Sequence, residues 1–131
     1  MNFFLTGKEF IGSKTECALL LFAHKLEQDY SEIRKKHKVL ASFPFSSDKK
    51  RMSTIIDYHG NYIMHTKGAS EIILELCDNF LDSNMNVQNL TSEVRNSLRK
   101  TIETMASEGL RTLTLAYKAP FCFSCLFIHI L

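Results

Sequence analysis

Phe43-Pro44-Phe45-Ser46-Ser47-Asp48-Lys49-Lys50-Arg51-Met52-Ser53-Thr54 is the stretch on which the fold turns, because it joins two β-prone runs through a polar turn. Upstream, Val39-Leu40-Ala41-Ser42-Phe43 reads as a strand, and Pro44, with no amide hydrogen to donate, confines it to its own end or to a sheet edge. Phe45 falls just beyond. Downstream, Met52, Thr54 and Ile56 alternate with Arg51, Ser53 and Ile55 until Asp57-Tyr58-His59-Gly60-Asn61 stops the run. Tyr62-Ile63-Met64-His65-Thr66-Lys67 then returns, so the spacing predicts a β-hairpin. Arg51 and Lys67 fall near the same end of it, since residues at similar distances from a turn lie opposite one another. With Gly68 next, that end offers an exposed aromatic ring, several cations and a step where backbone can lie flat against a ligand. Those features suit a nucleotide. The plainer reading of an aromatic beside a basic cluster is a solvated strand end.

Working outward, residues 1–12 read as an irregular or extended entry, and Ser13-Lys14-Thr15-Glu16 has the form of a capping box. Leu19, Phe22, Ala23, Leu26 and Tyr30 recur at spacings of three and four, giving the following helix one apolar face. Ser31 to Lys36 extends that helix or forms a short one of its own. On the other side, Gly68 ends the strand and Ala69-Ser70-Glu71 opens a helix through Cys77, with Ile72, Ile73 and Leu76 expected inward. The polar, Asn-rich stretch from Phe80 to Leu90 reads as a loop. Thr91 caps a helix carried by Val94, Leu98, Ile102 and Met105 and stopped by Gly109. Leu110 to Tyr117 alternates as a last strand. The predicted class is α+β, an antiparallel sheet covered by helices.

The 131 residues, 45% hydrophobic and 23% charged, suit one core, and a second domain is not expected. Sixteen Lys and Arg against fourteen Asp and Glu leave a net charge of +2, too small to make nucleic acid or an anionic membrane the main partner. Basic runs do occur, at Arg34-Lys35-Lys36-His37-Lys38 and Lys49-Lys50-Arg51, where a solvated helix end or turn is the ordinary explanation. Four cysteines and no signal-like start favour a reducing compartment without disulfides. Cys122 and Cys125 are separated by two residues, but neither His129 nor a second pair completes a zinc set, so no metal site is expected.

From Phe121 to Leu131 nine of eleven residues are apolar or cysteine, whereas a spanning helix needs about 20. No membrane insertion by this chain is expected. The tail, residues 119–131, is a buried final strand, the start of a truncated segment or a stretch foreign to the domain; the last two together are the preferred reading. Neither a Gly-x-x-x-x-Gly-Lys-[Ser/Thr] loop nor a Gly-x-Gly-x-x-Gly fingerprint is present. ATP can still be held by aromatic stacking, a carboxylate at the exocyclic amine and cations at the phosphates. No nucleophile with a positioned base stands out, and Glu16 reads first as a capping residue rather than a partner of His65.

Phe10 to Leu20, Phe45 to Thr54, Lys67-Gly68-Ala69-Ser70-Glu71 and Glu108-Gly109-Leu110-Arg111-Thr112 resemble, in order, the nucleotide-binding domain of P-type cation pumps. The wording Lys14-Thr15-Glu16-Cys17-Ala18-Leu19-Leu20 and Lys67 to Glu71 looks most like the plasma-membrane calcium-transporting ATPases. The resemblance covers residues 10–118, within a nucleotide-binding domain at 1–118. It implies that Phe45 stacks on adenine, Glu16 accepts from its amino group and Met52 lines the pocket wall. Lys67 would lie at the adenine end and influence the phosphates, Gly68 would permit close approach, Arg111 would hold the phosphate chain, and Lys50 would add a second cation. Ser47 stands where other branches of the family carry arginine, so one phosphate contact is expected to be missing.

The family's phosphoryl-acceptor motif, Asp-Lys-Thr-Gly-Thr, does not occur in these residues, so the chain alone is expected to bind ATP without turning it over. The implied partners are ATP, with Mg2+ in the intact pump, and the remaining pump domains. The implied location is the cytoplasmic face of a membrane, or solution if the chain is expressed alone. The alternative is a non-catalytic protein-interaction module derived from a truncated pump, and a nucleic-acid binder using Lys35, Lys36, Lys49 and Lys50 ranks below both.

Overall fold

A computed structural model of the chain describes residues 4–5, 8–9, 13–119 and 122–129. They fall into two compact units, Met1–Lys36 and His37–Leu131. Phe10 to Gly12, part of the first resemblance motif, lies outside the described residues.

In the first unit, β1 (Phe4–Leu5) and β2 (Lys8–Glu9) pair antiparallel ahead of α1 (Lys14–Lys25) and α2 (Tyr30–Lys36). Ser13 caps α1, its hydroxyl accepting from the Glu16 amide at 3.3 Å, and Glu16 places negative charge in the first turn, where the helix dipole favours it. The two helices are separate because Glu27 adopts a left-handed φ of 57° just past the α1 cap. Asp29 then restarts the helix, its carboxylate accepting from the amides of Ser31 at 2.8 Å and Glu32 at 3.4 Å.

The second unit is a seven-stranded sheet with helices. Its elements are β3 (Val39–Ser46), β4 (Arg51–Tyr58), β5 (Asn61–Ala69), α3 (Ser70–Glu75), β6 (Asn79–Leu81), β7 (Val87–Asn89), α4 (Ser92–Ser107), β8 (Leu113–Ala119) and β9 (Cys122–His129). The strand order is β3-β4-β5-β8-β9-β6-β7, and every pairing is antiparallel except β6 with β9. The expected hairpin is β4–β5, closed by His59 and Gly60 at φ 53° and 80°, the pair of positive angles that a two-residue turn matched to strand twist requires. Pro44 does lie on an edge strand, at a register shift between Phe43 and Ser46, so its missing amide hydrogen disturbs no regular ladder. The strand nonetheless continues past it, and Phe45 is within β3 rather than beyond it.

The core gathers Ile73, Leu74, Cys77, Leu90 and Ile102, with Phe80, Val94, Leu98 and Ala116 packed against it. α4 follows its reading: the Thr91 hydroxyl accepts from the Val94 amide at 3.4 Å. At the other end Gly109, at φ 78°, lets its own amide reach Ala106 O and the Leu110 amide reach Met105 O, a Schellman closure. α3 differs from expectation. It stops at Glu75, so Leu76 turns outward at 50% exposure, while Leu74 and Cys77 face the core.

The Phe80 to Leu90 stretch is not a loop but the β6–β7 hairpin. Its turn is organised by Asp82, whose carboxylate accepts from the amides of Asn84 and Asn86 at 2.9 Å each and from the Gln88 side chain at 3.1 Å. Strands of three residues, Asn79-Phe80-Leu81 and Val87-Gln88-Asn89, are too short to show a period. β9 pairs as an internal strand between β8 and β6.

Candidate functional site

Successive residues of a strand project to opposite faces, and directly paired residues project to the same one. Met52 pairs with Lys67, so both share a face, as do Thr54 and His65 in the next row. β8 extends those rows, placing Leu115 beside Lys67 and Tyr117 beside His65, with the His65 and Tyr117 rings 6.4 Å apart. Arg51 pairs with Gly68 and therefore projects to the opposite face from Lys67. The expectation of a shared end holds for Arg51 and Lys67; a shared face does not.

The turn from Ser46 to Arg51 is tight. The Lys50 amide donates to Ser46 O at 2.8 Å, and Lys50 itself sits at a left-handed φ of 49°. Its carbonyl accepts from the Ala69 amide at 3.0 Å, which pins the turn to the end of β5. Gly68 makes that closure possible: a Cβ built there would lie 2.6 Å from Lys50 O and 2.7 Å from Arg51 Cβ. The glycine is thus demanded by the chain's own backbone.

Phe45, on β3 one residue before the turn, is 60% exposed. Arg111 stands two residues before Leu113, which pairs with Ala69, so it reaches the sheet at the same end. Phe45, Lys50, Met52, Lys67, Gly68 and Arg111 are therefore brought together at one end of β3, β4, β5 and β8. Glu16 is on the first turn of α1 in the other unit.

That end is electropositive. Lys50, Arg51 and Arg111 have no ion-pair partner among the described residues. Asp48 is the acid of the turn, held ionised by the Ser46 hydroxyl beside it and by backbone amides, which keep its pKa below the ordinary carboxylate value. Cations accumulated around an exposed ring suit a ligand that is an anion at one end and a flat apolar surface at the other. Farther along the Lys67 face, loss of solvent and then the charge of His37 lower the His65 pKa, so His65 is biased toward its neutral form although one side of it remains exposed. Among the described residues no group of three or more His, Cys, Asp or Glu side chains could hold a metal. No helix among them is long and apolar enough to cross a membrane.

Tyr117 and Leu115 were not singled out by the sequence. Their alternation marks β8 as a strand but carries no information on which strand lies beside it, and only the pairing with β5 brings them to Lys67 and His65.

Comparison with known proteins matches residues 5–120 to the family described as P-type ATPase, cytoplasmic domain N. The chain is 47% identical over 110 residues to the calcium-transporting ATPase PAT1 of Dictyostelium discoideum, covering 84% of this chain and 10% of that protein. It is 47% identical over 111 residues to the plasma membrane-type calcium-transporting ATPase 4 of Arabidopsis thaliana, covering 84% and 11%. With the plasma membrane calcium-transporting ATPase 4 of Bos taurus the identity is 44% over 113 residues, covering 82% and 9%. The chain spans about a tenth of the length of these curated relatives.

Proposed function

The chain belongs to the family of P-type ATPase cytoplasmic N domains, and on that premise we propose that the electropositive end of its sheet binds ATP. In a longer pump polypeptide it would present the γ-phosphate to the phosphoryl-acceptor Asp of another domain. The relatives are named as calcium-transporting ATPases, so calcium is the ion we propose for such a pump. The observation that carries the reading is the convergence of Phe45, Lys50, Met52, Lys67, Gly68 and Arg111, which lie as far apart in sequence as residues 45 and 111, at one end of one sheet.

The residues fit the ligand. Phe45 offers its exposed face to the adenine, where stacking is worth about 1–3 kcal/mol per base. Met52, on the face of Lys67, supplies an apolar wall. Lys67 and Arg111, with Lys50 as a further cation, hold the phosphates, and Mg2+ would arrive with them. Gly68 lets β5 close against Lys50 and Arg51, which fixes the turn that carries Lys50. With Ser47 in place of a cation, and with the cost of immobilising a flexible nucleotide, the dissociation constant is expected at about 0.1 to several mM, or roughly 4 kcal/mol.

The test is an amide NMR titration of the full 131-residue chain with ATP, and with GTP as the control. Saturable, ATP-selective shifts at Phe45, Lys67, Gly68 and Arg111 support the seat. A folded spectrum that does not move at several mM ATP would leave the family intact and remove the nucleotide reading in favour of a protein-interaction module.

A further inference from the structure

Next to the proposed seat the sheet presents a row of polar side chains. The row of the seat itself holds Met52, Lys67 and Leu115, with Pro44 and Phe45 standing against Met52 in the register shift of β3. One row farther from the cationic turn, Ser42, Thr54, His65 and Tyr117 follow one another across β3, β4, β5 and β8. Directly paired side chains are neighbours, and the His65 and Tyr117 rings lie 6.4 Å apart, tilted by 42°. Successive rows on one face are about 7 Å apart, a distance comparable with the width of a purine. Ser42, Thr54 and His65 make no side-chain hydrogen bond among the described residues. The polar pair of the opposite face, Ser53 and Thr66, is by contrast closed by its own 2.8 Å bond.

Charge sets the direction of the ligand. Lys50 and Arg111 stand at the strand ends, so the triphosphate belongs there, and a base lying over Phe45, Met52 and Lys67 turns its far edge toward Thr54 and His65. Loss of solvent and then the charge of His37 disfavour the protonated form of His65. The other titratable or charged groups around it are Lys67 on its own strand, Tyr117 on β8 and His37 ahead of β3, while β4 presents Met52 and Thr54, neither of which titrates. A neutral imidazole has one ring nitrogen that donates and one that accepts. The amino group of adenine is a donor, whereas an oxo group at the same position is an acceptor. We propose that His65 reads the base: its unprotonated nitrogen accepts from the adenine amino group, the Thr54 hydroxyl beside it donates to the adjacent ring nitrogen, and the seat thereby prefers a 6-amino purine to a 6-oxo purine. The inference rests on the nucleotide reading and adds a specificity-determining residue to it. The cations meet the same triphosphate in either nucleotide and cannot supply the preference. A protonated imidazole has no acceptor left, so the preference disappears when His65 gains its proton.

The probes are ATP and inosine triphosphate, which share ribose and triphosphate and differ at position 6 of the base. Titrated into the full chain at about pH 7.5 and followed by amide NMR, ATP should bind about three- to tenfold more tightly than inosine triphosphate, the worth of one or two hydrogen bonds. His65→Leu should bind both nucleotides with that difference gone. His65→Gln, which keeps an acceptor in its amide oxygen, should retain it. In the wild type, the ring resonance of His65 should titrate at lower pH in the ATP complex than in the inosine triphosphate complex, because only ATP requires the unprotonated nitrogen. Equal affinity of the wild type for the two nucleotides, an unchanged preference in His65→Leu, or coincident His65 midpoints in the two complexes would overturn the inference and leave the nucleotide seat standing. No saturable binding of either nucleotide would overturn the seat and the inference together.

Discussion

Gly68 is the residue whose replacement is felt first by the fold and only then by any ligand. Its Cβ position is blocked by backbone, at 2.6 Å from Lys50 O and 2.9 Å from Arg51 Cα, and backbone pinned between strands cannot rotate away. Gly68→Ala is therefore expected to cost about 1–3 kcal/mol in urea unfolding, the range of other overpacked interiors. Phe45 is the converse case. Its ring is largely solvent-exposed, so Phe45→Ala should leave the urea midpoint unchanged and weaken ATP about 5- to 100-fold, the loss of one stack. An unchanged ATP titration in that variant would remove the proposed seat.

His65 sets a pH dependence at the same scale. Its folded pKa is lowered from 6.5, first by desolvation and then by His37, so the unfolded chain binds the proton more readily than the folded one. The stability it contributes is complete above about pH 6.5 and is lost as pH falls through the lower folded value. His65→Gln should flatten the change in urea midpoint between about pH 7.5 and 5.5; an unchanged slope would contradict this account. Asp48, Asp82 and Glu93 have the same sign but act below about pH 4. Their lowering comes first from the Ser46 hydroxyl, the Asn86 amide and the Thr91 hydroxyl respectively.

At the scale of elements, the join between α3 and α4 rests on one guanidinium. Arg95 donates to Leu74 O and, at 2.8 Å, to Cys77 O, at the C-terminal end of the short helix. Arg99 adds a pair to Glu75 at 2.7 Å. Both bonds come from a charged donor to backbone atoms of buried residues, so Arg95→Ala, which removes them, should cost about 1–3 kcal/mol. The exposed Arg99–Glu75 pair should contribute under about 1 kcal/mol, and thermal melts of the two alanine variants separate these effects. A sequence pattern shows α4 clearly, because caps and apolar spacing are local. It does not show that the Arg95 side chain completes a helix that ended 20 residues earlier.

For the whole molecule, β9 is the connection that matters. The sheet runs β8-β9-β6, so β6 and β7 reach the large antiparallel half of the sheet only through β9. Deleting residues 120–131 should leave the β3-β4-β5-β8 ladder exchanging slowly in hydrogen–deuterium experiments and raise exchange at Phe80 and Leu81 about tenfold or more. Equal protection in the two chains would show that the α3 and α4 core holds β6 by itself.

Local chemistry was enough to read the hairpin, the capped helices, the edge position of Pro44 and the α+β class, because turn angles, caps and alternation act over a few residues. The ordered motifs were enough to place the chain in its family. What the amino-acid sequence alone could not determine was which strands become neighbours. Pairing across the β5–β8 connection and the insertion of β9 depend on packing between distant segments, and alternation is the same whichever strand lies alongside. Tertiary structure therefore decided that Arg51 and Lys67 share an end but not a face. It also decided that Tyr117 stands beside His65.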